Sequence, residues 1–146
     1  MERVLVEKNG LPLAAAWHFC VCIRETFPDD EIKRAKYEHL LETRLGQDPA
    51  DHEHSAALVA GGTTVLLSAD QRGFPPADIA PARRAIPDRF FLQLLASYPA
   101  ELVQVIREMG ASRHPPNTPN QTLGALRSAG LIKFAESMGT KLGDYE

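Results

Sequence analysis

The sequence has few cysteines and few aromatic residues. Its 146 residues include two cysteines and 7% aromatic residues, against 44% hydrophobic and 24% charged residues. Cys20 and Cys22 form one C-x-C in an apolar run, which is too little for a disulfide framework or a four-ligand zinc site and predicts reduced, buried cysteines. The overall composition excludes a disordered or collagen-like chain and predicts a globular one with its own hydrophobic core.

Long apolar runs, a signal peptide and strong charge are also missing. No stretch approaches the roughly 18 apolar residues of a membrane span, and "MERVLVEKNG" lacks the basic-then-apolar order of a signal peptide. We therefore expect a soluble, cytoplasmic protein with no membrane partner. The net charge of −3 gives no general attraction for phosphate backbones, so nucleic-acid binding would need a local basic patch or a metal.

The first 46 residues predict one strand and two helices. "RVLV", residues 3–6, is short and β-branched and is followed by Asn9-Gly10, which is typical of a strand ending in a turn. The apolar run 11–27 predicts a largely buried helix. Asp29 and Asp30 are possible N-caps for an amphipathic helix with periodic apolar residues up to Leu45, ending at Gly46.

The middle of the chain predicts an α/β fold. An alanine-rich helix begins at Asp51 and ends at Gly61-Gly62, and the continuous apolar run 63–69 is typical of a strand covered on both faces. The segment 83–86 predicts another short strand before a helix that begins at Pro87. Helix and strand in alternation indicate a short parallel sheet.

The last third predicts helices alone. Apolar residues repeat at helical spacing after Pro99 and again after Leu131, and Thr118, Pro119 and Gln121 form a capping box. We therefore divide the chain into an α/β domain, residues 1–98, and a C-terminal all-helical appendix, residues 99–146.

Three acids stand where a parallel sheet gathers functional groups. Glu7 and Asp70 directly follow predicted strands, and Asp51 heads a helix that would pack beside them. The carboxyl ends of parallel strands lie at the same edge of a sheet, so these acids could converge there. Converging carboxylates can hold a magnesium ion, which in turn can activate water. The spacing alone favours a simpler explanation of the same residues, namely one helix-capping aspartate and two turn acids.

The motif order resembles a known family. "DPADHEHSAALVAGGTTVLLSADQRGFP" resembles the second half of a PIN domain of VapC-type toxins, in which an acidic turn, an alanine-rich helix, a short strand and an Asn/Asp follow one another. "IPDRFFLQLL" and "RHPPNTPNQTLGALRSAGLIKFAESM" resemble the helical appendix of one bacterial PIN subgroup. The resemblance runs from Asp48 to Met138.

The resemblance implies a PIN-like three-layer core and a metal-dependent endoribonuclease of a toxin–antitoxin system. Asp51 and Asp70 match two of the family's acids, and Glu7 stands where its first aspartate is usual. These three would hold magnesium or manganese, with RNA as substrate and a cognate antitoxin as partner. Arg72 and Arg83, from the arginines nearest the proposed site, are candidate contacts for RNA phosphate.

Departures from the family pattern leave the function open. The helix-borne glutamate is replaced by alanine at residues 14–16, Gly73 stands where an aspartate is usual, and one helix and one strand of the first half are missing. One hypothesis is an active or weakly active ribonuclease, because fewer acids hold the metal less tightly. Another is a non-catalytic PIN-derived module that binds an antitoxin-like partner or forms a homo-oligomer through an exposed strand edge. A third is a small α/β domain without PIN ancestry.

Overall fold

The computed structural model describes residues 6–7, 10–49, 51–70 and 72–145. The elements described in full, in chain order, are α1 (Leu13–Thr26), α2 (His52–Ala60), β1 (Val65–Leu67), β2 (Arg83–Ala85), α3 (Pro87–Ser97), α4 (Pro99–Ala111), α5 (Pro119–Ser128) and α6 (Ile132–Asp144). Within the described ranges the chain is mostly helical, with one small parallel sheet. None of the helices there has the length and apolar character that crossing a membrane would require.

Helix α1 forms where the apolar run predicts it, but the prediction that it is largely buried is wrong. Ala16 and Cys20 are its buried residues, whereas Leu13 is 68% exposed and Trp17 is 56% exposed. Ala16 and Cys20 are four positions apart, so the helix packs inward along one face and leaves its other apolar side chains exposed. Cys22 is exposed, so its predicted burial is also wrong, and both cysteines are free thiols.

The amphipathic helix predicted up to Leu45 is wrong. Two short 3-10 segments, Arg34–Lys36 and Glu38–Thr43, replace it, and Arg44 ends the second in a left-handed conformation. The Tyr37 hydroxyl and the Arg34 guanidinium both donate to Glu53 Oε1, at 3.0 and 3.1 Å. These contacts with α2 hold the two 3-10 segments in place. The spacing of apolar residues within the segment does not predict contacts with a residue so distant in sequence.

The sheet consists of β1 and β2 in parallel, with Val65 opposite Arg83 and Leu67 opposite Ala85. Both strands lie within their predicted segments. Leu67 is 41% exposed, so the prediction that β1 is covered on both faces is wrong. Leu66 packs against a small core cluster on one side of the sheet, formed by Leu58, Phe74, Ile79 and Ala82.

The predicted first strand, residues 3–6, falls mostly outside the described residues. Val6 and Glu7 are helical, and the Gly10 amide donates to the Val6 carbonyl at 3.1 Å. Glu7 is exposed. In the structure this acid therefore lies in a helical turn instead of directly after a strand.

Helices α3 to α6 pack around a second hydrophobic core, which comprises Leu95, Val103, Ile106, Leu123, Phe134, Ala135, Met138 and Leu142. The capping box is confirmed: Thr118 Oγ1 accepts from the Gln121 amide at 3.2 Å, and Gln121 Oε1 accepts from the Thr118 amide at 2.8 Å. Helix α3 packs on α6, so residues 87–97 share a core with the C-terminal helices. The domain division after residue 98 stays a prediction.

Candidate metal centre

Asp51 stands at the start of α2, in the N-cap position. Its side chain makes no capping hydrogen bond, so the interpretation of Asp51 as a helix cap is wrong. The backbone still begins the helix there, because the Asp51 carbonyl accepts from the Ser55 amide at 2.9 Å. The Asp51 carboxylate is thus left for another role at the positive end of the helix dipole.

Asp70 lies in a turn just beyond the carboxyl end of β1. Asp70 Oδ1 accepts from the Arg72 and Gly73 amides at 2.8 and 3.0 Å, and the Asp70 amide donates to Ser68 Oγ at 3.1 Å. The prediction of a turn aspartate is therefore confirmed. The Gly73 and Arg72 amides lower the pKa of Asp70, and the Arg72 and Arg84 guanidinium groups lower that pKa further.

The second oxygen of Asp70 and the carboxylate of Asp51 converge on Gly73. A β-carbon added at Gly73 would lie 2.8 Å from Asp70 Oδ2, 3.0 Å from Asp51 Cγ and closer still to Asp51 Oδ2. Since both oxygens lie within 2.8 Å of that point, they are less than about 5.6 Å apart. Two oxygens that bind one magnesium ion lie within about 4.2 Å of each other, so a small shift of the two side chains brings these oxygens to that separation. The structure thus brings together two of the three predicted acids, in space that a side chain at residue 73 would occupy.

Ser55 adds a buried hydroxyl to the same region. It lies one helical turn after Asp51, on the same face of α2, and is fully buried. Ser55 Oγ has no hydrogen-bond partner among the described residues. A β-carbon at Gly46 would lie 3.5 Å from this oxygen and 2.8 Å from the Gly73 carbonyl. Two glycines therefore let two loops approach closely around Asp51 and Ser55.

An open cavity of about 420 Å³ borders Asp70 and Gly73, and its lining comprises Gln47, Asp48, Pro49, Asp70, Arg72 and Gly73. Arg72, a predicted phosphate contact, therefore lies beside Asp70. Arg83, the other predicted phosphate contact, lies in a different cavity at the end of β2. The two arginines do not share one pocket.

Glu7 does not complete a three-acid cluster. In the part of the chain that the structure describes, no group of three or more His, Cys, Asp or Glu side chains is placed to hold a metal ion. Asp51 and Asp70 are the pair that the fold brings together.

The donor set at Gly73 nevertheless fits a hard divalent cation. Magnesium prefers oxygen ligands, keeps several of its waters and is commonly held by only one or two carboxylates. Asp51 Oδ2 and Asp70 Oδ2 meet that description, and the orphaned Ser55 hydroxyl supplies a further oxygen nearby. The residues that would hold such an ion are therefore Asp51 and Asp70.

Sequence reasoning passed over Ser55 and misjudged Gly73. The four-residue spacing from Asp51 to Ser55 on one helix was the available signal for the serine. In the sequence, Gly73 was interpreted only as the absence of an aspartate that the family usually has. In the structure, the absence of a side chain at Gly73 makes room for the Asp51 carboxylate.

Comparison with known proteins relates one part of the chain to a family. Residues 87–140 match the family model of the VapC50 C-terminal domain. The match covers α3, α4, α5 and most of α6, and it does not include Asp51 or Asp70. No curated protein and no solved structure matches the chain.

Proposed function

We propose that this protein is a metal-dependent endoribonuclease of the VapC type, with a PIN-like core and a place in a toxin–antitoxin system. The observation that carries the proposal is the convergence of Asp51 Oδ2 and Asp70 Oδ2 on Gly73. The likeness of residues 87–140 to the VapC50 C-terminal domain supports the same family, independently of the acids.

In this proposal Asp51 and Asp70 hold one magnesium or manganese ion. The chemistry that such an ion supplies is activation of water and polarisation of a phosphodiester oxygen. The hydrogen bonds to Asp70 Oδ1 orient this carboxylate and keep it ionised, so its other oxygen is ready to bind a cation. Arg72 lines the same cavity and would meet a phosphate bound beside Asp70.

We expect the activity to be weak. Two carboxylates neutralise less of the metal's charge than three or four, so they hold it less tightly at ordinary concentrations. At equal, sub-saturating concentrations manganese should therefore raise the rate more than magnesium, because manganese binds a given oxygen site with less demand for ideal geometry.

The test is cleavage of a labelled RNA in manganese by the wild type, Asp51→Asn and Asp70→Asn, with Asp144→Asn as a control for loss of a surface acid. We expect metal-dependent cleavage that falls at least about a hundredfold in the first two variants and persists in the control. Equal cleavage by all four proteins would refute the role of the acid pair.

A second candidate function is a non-catalytic module that binds an antitoxin-like protein chain or a second copy of this chain. It is favoured by an apolar groove of about 350 Å³ between α2 and β1, lined by residues that include Ile32, Ala57, Leu66 and Leu67. Among the described residues, β1 pairs with β2 alone, and a strand of a partner would add along its other edge.

Sedimentation equilibrium separates this second candidate from the first. A chain that self-associates through the groove should become monomeric when Leu67 is changed to lysine, which places a charge on the open edge. A wild type that is monomeric and cleaves RNA would favour the ribonuclease and count against the groove as an oligomer contact.

A further inference from the structure

A second cavity, of about 370 Å³, lies where β2 passes into α3. Its lining comprises Arg83, Arg84, Ala85, Ile86, Arg89, Phe90 and Gln93. We call this the arginine cavity. Three guanidinium groups, one aromatic ring and one amide in a short segment give it a composition unlike the rest of this acidic chain.

The charges of the arginine cavity are not neutralised locally. Arg83 and Arg89 are exposed and have no ion-pair or side-chain hydrogen-bond partner among the residues described. Arg84 donates to the Ser68 carbonyl at 3.1 Å, which uses one of the five N–H groups of its guanidinium and fixes its position. The cavity therefore offers unpaired donors suited to phosphate oxygens.

Phe90 gives the cavity an aromatic wall. Its ring meets Phe91 edge to face, with centroids 5.8 Å apart at 84°, and Phe91 in turn contacts Phe134 of the helical core at 5.5 Å. The Phe90 ring thus contacts a ring that packs against the helical core, while Phe90 itself lies outside that core. A fixed aromatic ring beside arginines is a stacking platform for an unpaired base.

Position links the arginine cavity to the acid pair. Strands β1 and β2 are parallel, so Asp70, which follows β1, and the start of α3, which follows β2, lie at the same edge of the sheet. Arg84 connects the two places, because its guanidinium lines the arginine cavity and donates to the Ser68 carbonyl just beyond β1.

From this arrangement, and resting on the proposed ribonuclease function, we infer that the arginine cavity binds single-stranded RNA next to the cleavage site. Arg83 and Arg89 contact backbone phosphates, and Phe90 stacks on one base. A base paired in a duplex cannot stack on a side chain in this way, so the substrate class is unpaired RNA. The substrate contacts thereby extend beyond Arg72 to β2 and the first turn of α3.

The test is fluorescence anisotropy with a labelled twelve-nucleotide single-stranded RNA in EDTA, where metal-dependent cleavage does not occur. The double variant Arg83→Ala/Arg89→Ala should bind at least about tenfold more weakly, with a salt dependence flattened by roughly 0.7 per lost phosphate contact. Phe90→Leu should weaken binding about tenfold through lost stacking. The matched control is Arg113→Ala/Arg127→Ala, which removes the same charge at exposed residues elsewhere and should bind as the wild type does.

The outcomes separate this inference from the proposed function. Binding that depends on Arg83, Arg89 and Phe90, without any cleavage in manganese, would uphold the cavity and refute the ribonuclease. Cleavage with equal binding by both double variants would overturn the cavity and leave the ribonuclease standing. Equal affinity for a duplex of the same sequence, or loss of folding by circular dichroism in Phe90→Leu with unchanged binding by the arginine variants, would also overturn the inference.

Discussion

At the scale of single residues, Gly73 decides whether the two site acids can meet. The space that a β-carbon would need there is taken by the carboxylates of Asp51 and Asp70. Gly73 has an ordinary negative φ, so backbone strain is not the reason for a glycine at this position. Close approach of two acids is the reason.

We therefore predict that Gly73→Ala pushes the carboxylates apart. The variant should lose metal binding while its free energy of unfolding changes little, because the atoms that must move are the ends of two side chains beside an open cavity. The measurement is urea unfolding together with calorimetric titration of manganese. Gly124→Ala is the control, because open space surrounds Gly124 on α5 and alanine favours a helix there. If both variants behaved alike, the steric account of Gly73 would be wrong.

Tyr37 is a second residue whose environment has a measurable consequence. Burial, the hydrogen bond to Glu53 and the charge of Glu53 raise the pKa of Tyr37 above its ordinary value of 10.0. The phenol of the unfolded chain therefore loses its proton at lower pH than that of the folded chain. The stability contributed by Tyr37 is complete below pH 10 and declines as the pH rises through the folded pKa.

Because the pKa of Tyr37 is raised, the wild type and Tyr37→Phe should differ in how much their free energy of unfolding changes between pH 8 and pH 10.5, measured by urea unfolding. The wild type should lose more of its free energy of unfolding over this interval than the variant, in which residue 37 does not titrate. Parallel losses in the two proteins would show that Tyr37 keeps an ordinary pKa in the fold.

At the scale of elements, local signals predicted the C-terminal helices well. A capping box, prolines at helix starts and a 3.6-residue apolar period act within one helix, so the sequence alone contains them. Residues 34–43 differ, because Tyr37 and Arg34 are held by Glu53, which lies 16 and 19 positions away. The prediction that α1 is buried failed for a related reason. The apolar composition of a helix does not show which of its faces pack against other elements.

Asp88 is a further case in which a contact between residues distant in sequence fixes a helix. It lies in the first turn of α3, yet its carboxylate accepts from the Phe134 and Lys133 amides at 2.8 and 3.2 Å and so caps α6. Asp88→Ala should lower the free energy of unfolding by about 1 kcal/mol. In thermal unfolding, Asp144→Ala is the control, because its ion pair with Lys141 is exposed and worth little. Equal melting temperatures in the two variants would rule out the capping role.

At the scale of the whole molecule, two hydrophobic clusters divide the described chain. The cluster beside the sheet draws on Leu58 to Ala82, and the cluster of the helices draws on Leu95 to Leu142, with Phe91 packed against it. The family-model match to residues 87–140 covers the second cluster almost completely. The helices α3 to α6 therefore have the core and the caps of an independent folding unit.

We predict that a fragment of residues 86–146 folds without the rest of the chain. It should give a helical circular dichroism spectrum and a cooperative thermal transition, with Asp88 retained to cap α6. A helical but non-cooperative melt would mean that the first half of the chain is needed to fix the packing.

The candidate site was predicted in part at this scale. Parallel strands place their carboxyl ends together, which was enough to bring Asp70 near the start of α2 in the prediction. The sequence did not predict that Gly46, Ser55 and Gly73 lie close together, because their proximity depends on how two loops approach each other. Glu7 was chosen for a strand that the described residues do not contain at that point, since Val6 and Glu7 are helical.

The central claim is that Asp51 and Asp70 form one metal site, and calorimetric titration of manganese tests it most directly. The wild type should bind one ion in a saturable manner, and binding should disappear in both Asp51→Asn and Asp70→Asn while Asp144→Asn retains it. No saturable binding by the wild type at millimolar manganese, or binding that survives in either site variant, would contradict the account.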